Sequence, residues 1–246
     1  MKAAVARVLQ AVYLDGVARE LLRGARRLAR DARNRVSSPD SAIVASYFAA
    51  HPVPKLHLGC GPHFLDGWLN ADQSAASANV LRFDVTQRFP LDDAAFDYVY
   101  SEHLIEHVPR AQGSFMLSEC HRVLRPGGKV RISTPDLAFL LDLCRPDKSA
   151  LQLDYVAWSL REWVQDAPHG SDALVINNFM RNWGHQFIYD EWTLRSHLER
   201  AGFAAIARCE LGQSSDEALR GLQNEGRMPP GFLRLETMTL EATKPA

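Results

Sequence analysis

The chain has 246 residues, 46% hydrophobic and 23% charged, which supplies one full core and argues against a mainly disordered chain. Its formal net charge of −1 argues against a broad nucleic-acid-binding face, and the imbalance within it is local: residues 1–35 sum to +6 and the remainder to −7. No stretch approaches the roughly 20 apolar residues that cross a bilayer, and Cys60, Cys120, Cys144 and Cys209 have no metal-site spacing, which suits a reducing cytoplasm.

Residues 3–33 contain no proline and place Val5, Leu9 and Val12, then Leu14, Val17, Leu21 and Leu28, at helical spacing opposite an arginine-rich face. Arg7, Gln10 and Asp15 interrupt any signal-peptide core. Such a helix could lie peripherally on the inner face of an anionic membrane, dock on a partner or a second copy of the chain, or pack on its own domain. Ser37-Ser38-Pro39-Asp40 punctuates, and residues 41–50 read as a second short helix. Residues 1–50 are thus an N-terminal helical extension and 51–246 a single domain.

In that domain short apolar strands alternate with helical patterns: KLHLG from Lys55, WLNAD to Asp72, NVLRFD to Asp84, FDYVYS to Ser101, a helix over 114–124, and KVRIST from Lys129. Alternation of this kind predicts an α/β fold with a mainly parallel sheet and helices on both faces. Residues 137–188, helical and aromatic with Tyr155, Trp158, Trp163, Phe179 and Trp183, read as an inserted cap. A helix over 190–201 follows, then the strand FAAIARCEL and a last strand near RLETMTLEA.

Ligands of parallel sheets sit beyond the carboxyl ends of the strands, and there the chain places Gly59, Cys60 and Gly61, Asp72, Asp84, Ser101 and Glu102. A Gly-Cys-Gly turn leaves bare backbone for close approach of a ligand, or simply makes a tight corner. Asp72 is placed to accept from a ribose diol and Asp84 from an adenine amino group, although a strand-end aspartate also serves as an ordinary cap. A dinucleotide turn wants a third glycine where Phe64 stands, and no GK[ST] phosphate loop occurs. A nucleoside ligand without a pyrophosphate fits better.

Next, His103, Glu106 and His107 stand at helical spacing i, i+3, i+4. They could supply a base to an acceptor hydroxyl, ligands to a metal, or the packing of a helix start. His185, after the aromatic segment, is a second candidate base, with Tyr189 near it. The tryptophans suit a sugar-stacking face and an ordinary core alike.

HLGCG, the strand-end Asp72, FDVTQRFPLDDAAFDYVYSEHLIEHV, ECHRVLRPGGKVRISTPD and GHQFIYDEWTLRSHLERAGF resemble class I S-adenosylmethionine-dependent methyltransferases, especially the small bacterial type with a shortened first helix that often accompanies glycan or lipopolysaccharide synthesis. The resemblance implies a Rossmann-like seven-stranded sheet with an antiparallel C-terminal edge strand, S-adenosyl-L-methionine as cofactor, and a small-molecule or glycan acceptor. Gly59, Cys60 and Gly61 would line the methionine moiety, Asp72 would hold the ribose, Asp84 with Val85 would frame the adenine, and Ser101 with Glu102 would border the methionine end. His57 stands where the family usually has an acid, and would contact the carboxylate or amine; His63 replaces its third glycine. His185, His107 and His103 are the candidate catalytic bases, and no metal is assigned. Some quinone-pathway relatives carry a similar E-x-x-E-H run that binds a divalent cation, with His103 here in place of the first glutamate. That makes an aromatic O-methyltransferase one alternative; a non-catalytic partner of a membrane glycan-building enzyme is the other.

Overall fold

The computed structural model describes residues 39–74, 77, 79–164 and 171–246. The chain divides into two compact units, 1–46 and 47–246. The basic helix expected over 3–33 lies outside the described residues, and so does part of the expected cap, 165–170. Among the described residues no helix is long and apolar enough to cross a membrane.

After helix α1 (Pro39–Ala50) come β1 (Lys55–Leu58), β2 (Leu69–Asp72), β3 (Leu81–Arg82) and β4 (Phe96–Glu102), then α2 (Arg110–Val123) and β5 (Leu124–Pro135). Three helices follow, α3 (Leu137–Asp142), α4 (Ala150–Trp163) and α5 (Asp172–Arg181), then α6 (Glu191–Arg200), β6 (Ala204–Cys209), α7 (Phe232–Glu236) and β7 (Thr237–Thr243). The seven strands form one Rossmann-like sheet in the order β3-β2-β1-β4-β5-β7-β6. β1 to β5 pair in parallel, whereas β7 runs antiparallel to both β5 and β6. The C-terminal strand is therefore antiparallel as expected but lies one position in from the edge, which β6 occupies. The expected last strand also starts later, because residues 232–236 form a helical turn first.

One sheet face is apolar in the ordinary way: Leu56 and Leu58 of β1, Val99 of β4, and Val130 and Ile132 of β5 are fully or almost fully buried. α2 turns Met116, Leu117, Cys120 and Val123 inward, and α6 turns in Leu194 and Leu198, the spacing of a helix face that meets a core. Each such side chain stabilises the fold by roughly 1.5–3 kcal/mol through burial.

On the opposite face the same strands carry a row of polar side chains. Register aligns Asn70, His57, Tyr100, Arg131 and Glu241 across five neighbouring strands. Arg131, fully buried, pairs with Glu241 and donates to the Gln213 carbonyl. The connections at the β1–β3 end contain no helix, since residues 59–68 and 83–95 form turns. A parallel crossover usually needs a dozen or more residues and a helix. Here the ten residues 59–68 manage it because Asn70 holds them: its Oδ1 accepts from Leu65 N at 3.0 Å, and its Nδ2 donates to Leu65 O and Trp68 O. The segment between β6 and β7 supplies the missing cover, packing Leu219 and Leu222 on Trp68 and Tyr100.

The PGG turn works as an outward bulge at the start of β5, where pairing jumps from Phe96↔Leu124 to Tyr98↔Lys129. Gly127 takes φ +79°, and a Cβ on Gly128 would lie 2.9 Å from the Arg125 carbonyl oxygen. A side chain would be strained at the first position and would collide at the second.

Candidate active site

At the carboxyl ends of β1 to β4 lies a cavity of about 600 Å³, within the range of small-ligand sites. Gly59 forms one wall, with Asp72 at the end of β2 and Ser74 beyond it, and Phe83, Asp84, Val85 and Thr86 after β3. The other wall has Leu104 and His107 after β4, Gln112 of α2 and Gln186. Gly59 takes φ +67°, and a Cβ there would come within 2.9 Å of the Leu104 methyl groups, which also line the space. Any larger residue would have to push that wall inward.

Asp72 closes the glycine turn: Gly61 N donates to its Oδ2 at 3.0 Å and Ser74 N to its Oδ1 at 2.7 Å. Each carboxylate oxygen has two acceptor sites, so capacity remains for the hydroxyls of a diol. Asp84 fixes its own turn, accepting from Thr86 N at 2.8 Å. Beside it, Phe83 offers a flat apolar surface, steadied by Phe89 at 4.9 Å between ring centroids. An acid for a diol, an acid and a ring for a base, and a thin glycine wall fit a nucleoside-bearing cofactor.

The other end of the cavity is built around a carboxylate. His103, at φ +47°, leaves the β4 ladder and starts a short 3-10 turn at 105–107 that directs Glu106 inward. Glu106 has no solvent exposure. Its Oε2 accepts from Thr134 Oγ1 at 3.0 Å, while Oε1 lies 3.3 Å from His103 Nδ1 and 3.9 Å from His107 Nε2 with no hydrogen-bond partner. Burial would push the Glu106 carboxyl up, but the His103 contact and the charges of His103 and His107 outweigh it and hold the group below the ordinary glutamate value. It is therefore ionised at neutral pH.

The Glu106 backbone oxygen accepts from Gln186 N at 2.7 Å and from Phe187 N at 3.2 Å. These two bonds pin the segment after α5 against the turn, and they bring His185 beside His107, 4.9 Å between ring centroids. His185 Nδ1 lies 2.6 Å from the Phe179 carbonyl oxygen, to which it must donate, so Nε2 carries the lone pair. Burial lowers the His185 pKa and keeps the ring neutral. Trp183, at φ +54°, places its indole 5.5 Å from the His185 ring and 5.4 Å from that of Trp163. Left-handed non-glycine residues thus bracket the cluster on both contributing segments, the kind of backbone cost that concentrates at functional sites.

Of the residues singled out in the sequence, Gly59, Asp72, Asp84, Val85 and His107 line the cavity and His185 adjoins His107. Others are placed elsewhere. His57 is 2% exposed, stacks on Tyr100 and hydrogen-bonds Asn70 at 2.9 Å, so it braces the turn that replaces the first helix. Gly61 meets the cavity only through Asp72, and Cys60 is buried with its thiol pushed up to about 11 by desolvation. Ser101 is buried with an unpartnered hydroxyl, and Glu102 accepts from Tyr100 OH and Asn224 N under the β6–β7 segment. His103 is tied to Thr237 Oγ1 at 2.8 Å. Tyr189 is fully buried, its hydroxyl 2.4 Å from where a Cβ on Gly113 would sit.

Sequence reasoning missed Phe83, Leu104, Gln112 and Gln186 as wall residues, and it did not assign Glu106 the centre of the cluster. Gln186 next to His185, Phe83 next to Asp84 and Leu104 next to His103 carried a hint by adjacency; Gln112 carried none.

Residues 62–132 match the family model described as a methyltransferase domain. No curated protein matches the chain in sequence. Among solved structures, the chain is similar to a SAM-dependent methyltransferase from Archaeoglobus fulgidus, at 17% identity over 85% of this chain and 95% of that one, with a TM-score of 0.47. It is also similar to an S-adenosylmethionine-dependent methyltransferase from Mesorhizobium loti, at 18% identity over 81% and 96%, again with a TM-score of 0.47.

Proposed function

We propose, from the premise that residues 62–132 belong to a class I S-adenosylmethionine-dependent methyltransferase domain, that the chain transfers the methyl group to a hydroxyl of a small molecule or glycan. The observation that carries this reading is the pairing of His107 and His185 over a buried, ionised Glu106 at one end of the cofactor-sized cavity. A hydroxyl becomes an effective nucleophile only as it loses its proton, and a neutral imidazole is the side chain suited to take it near neutral pH. The half-exposed indoles of Trp163 and Trp183, next to His185, favour a sugar face as the acceptor surface.

S-adenosylmethionine supplies an electrophilic methyl group on a sulfonium sulfur. Asp72 would accept from its ribose hydroxyls, Asp84, Val85 and Phe83 would frame its adenine, and Gly59 would let its methionine portion lie against backbone. Leu104 closes the wall behind that glycine. At the far end His107, assisted by His185, accepts the proton of the acceptor hydroxyl, and Glu106 stabilises the imidazolium that results. The remaining contribution is alignment of oxygen, carbon and sulfur, which is worth several orders of magnitude when held rigidly.

The test is transfer of labelled methyl from S-adenosylmethionine to cell-envelope sugar fractions and small-molecule extracts of the host. Base-stable label on a hydroxyl-bearing acceptor is the expected result. Label that appears only on nitrogen or carbon would replace the hydroxyl reading.

A further inference from the structure

Three potential ligand atoms converge at the far end of the cavity, at separations that suit a shared ion better than direct hydrogen bonds between them. One carboxylate oxygen of Glu106 and one ring nitrogen each of His107 and His185 lie within 4.8 Å of one another. Glu106 Oε1 has no solvent exposure and makes no hydrogen bond, its neighbours being His103 Nδ1 at 3.3 Å and His107 Nε2 at 3.9 Å, so an ionised oxygen there keeps lone pairs that a cation would occupy. We propose that Glu106, His107 and His185 bind a divalent transition-metal ion of the zinc type, and that the open coordination position takes the acceptor hydroxyl.

Two imidazoles and one carboxylate are a donor set that holds such an ion and leaves a position free for a reacting ligand. Orientation of the ligands agrees. His185 donates its Nδ1 proton to the Phe179 carbonyl, and ligating histidines characteristically fix their tautomer this way, with the other nitrogen left to the metal. Glu106 Oε2 is held by Thr134 Oγ1, which leaves Oε1 for the ion. A point equidistant from three atoms 4.8 Å apart is about 2.8 Å from each, so contraction of less than 1 Å reaches the usual 2.0–2.2 Å bonds. The ligands come from a turn after β4 and a segment nearly 80 residues later, joined by the two bonds to the Glu106 backbone oxygen. His103, three residues before Glu106, has its Nε2 2.8 Å from Thr237 Oγ1 and its Nδ1 3.3 Å from Glu106 Oε1, and is not one of the three.

With the ion in place the hydroxyl proton leaves to water as the metal–oxygen bond strengthens, and the oxygen's electron pair then forms the new bond to carbon while the carbon–sulfur bond breaks. His107 and His185 are then ligands instead of proton acceptors. The hydroxyl step rests on the reading given above; binding of the ion does not.

The experiment uses the full chain, stripped with chelator and titrated with Co(II), which reports tetrahedral or five-coordinate ligation by its visible absorption. One equivalent bound with micromolar affinity and displaced by Zn(II) is expected. Glu106→Gln and His185→Ala should weaken binding at least 30-fold, and His107→Asn, at a partly exposed position, provides the same readout if the buried variants fail to fold. No saturable Co(II) or Zn(II) binding up to millimolar ion, or binding unchanged in the folded variants, would overturn the site. Methyl transfer by a metal-free chain, undiminished by chelator, would also overturn it while leaving the imidazole base intact. Ion binding without oxygen methylation would support the site and remove the hydroxyl reading instead.

Discussion

The two ends of the cavity are built on different plans. The end proposed for the nucleoside is local: Asp72 closes β2 and accepts from two backbone N–H groups, and Asp84 follows β3 and accepts from Thr86 N. The histidine end is assembled across the chain, with a buried carboxylate from the turn after β4, a threonine from β5 and an imidazole from the segment before α6. On the proposed reading, the first end would recognise a shape shared by many cofactors and the second would fix a charge where an acceptor reacts. Damage to the first should therefore appear in cofactor affinity, and damage to the second in turnover.

The largest effect is expected at the second end. His185→Ala should lower kcat by about 100-fold or more, in line with loss of a general base or metal ligand. Its affinity for S-adenosylmethionine should stay within about threefold, since the ring does not line the cavity, and equilibrium dialysis beside single-turnover kinetics separates the two. Equal losses in both would break the division. Next comes Asp72→Ala, which removes an ionised acceptor and should weaken the cofactor by about 10- to 100-fold, corresponding to 1.5–3 kcal/mol. An unchanged affinity by calorimetry would remove Asp72 from the ribose site.

A smaller effect separates cofactor binding from bracing of the turn. Burial lowers the His57 pKa from 6.5 to about 4, with opposing help from Asn70 and smaller influences from His63 and Asp72. The folded state thus holds His57 neutral while the unfolded chain takes up a proton below pH 6.5, so stability present above that value is lost as pH falls toward 4. The loss should reach roughly 2 kcal/mol by pH 5 at 1.36 kcal/mol per unit. Urea unfolding of wild type and His57→Gln between pH 8 and 5 measures it, and parallel pH profiles for the two would assign the slope elsewhere. Smallest is Gly61→Ala. Its φ of +49° is unfavourable for alanine, but a Cβ meets nothing within 4 Å. A cost of about 1 kcal/mol is expected from the backbone alone, read as a shift in Tm.

The sequence made the glycine and acid wall of the cavity legible because strand ends, glycines and acids are local signals whose chemistry depends little on the rest of the chain. Gly59, Asp72 and Asp84 were assigned from such signals, and they line the cavity. His57 was assigned to the cofactor by its position in the motif, yet alternation along β1 turns it to the polar face, where Asn70 and Tyr100 meet it. Ser101 and Glu102, adjacent residues of one strand that point to opposite faces, are also not among the residues that line the cavity. At the histidine end His107 and His185 were recognised separately. Glu106 was grouped with His103 and His107 by spacing, but its link to His185 was not foreseen, because that link depends on the bonds from Gln186 and Phe187 to the Glu106 backbone oxygen, which spacing does not reveal. The absent helix after β1 belongs to the same class, since its cover comes from residues more than 150 positions away, as in the 3.2 Å contact of His63 with the Leu222 carbonyl.

The division between the two ends is tested most directly by calorimetric titration of S-adenosylmethionine into wild type, Asp72→Ala and Glu106→Gln. The account predicts saturable binding to the wild type, at least tenfold weaker binding to Asp72→Ala, and binding within about threefold of wild type for folded Glu106→Gln. Absence of binding to the wild type at millimolar cofactor, or a loss in Glu106→Gln as large as that in Asp72→Ala, would contradict it.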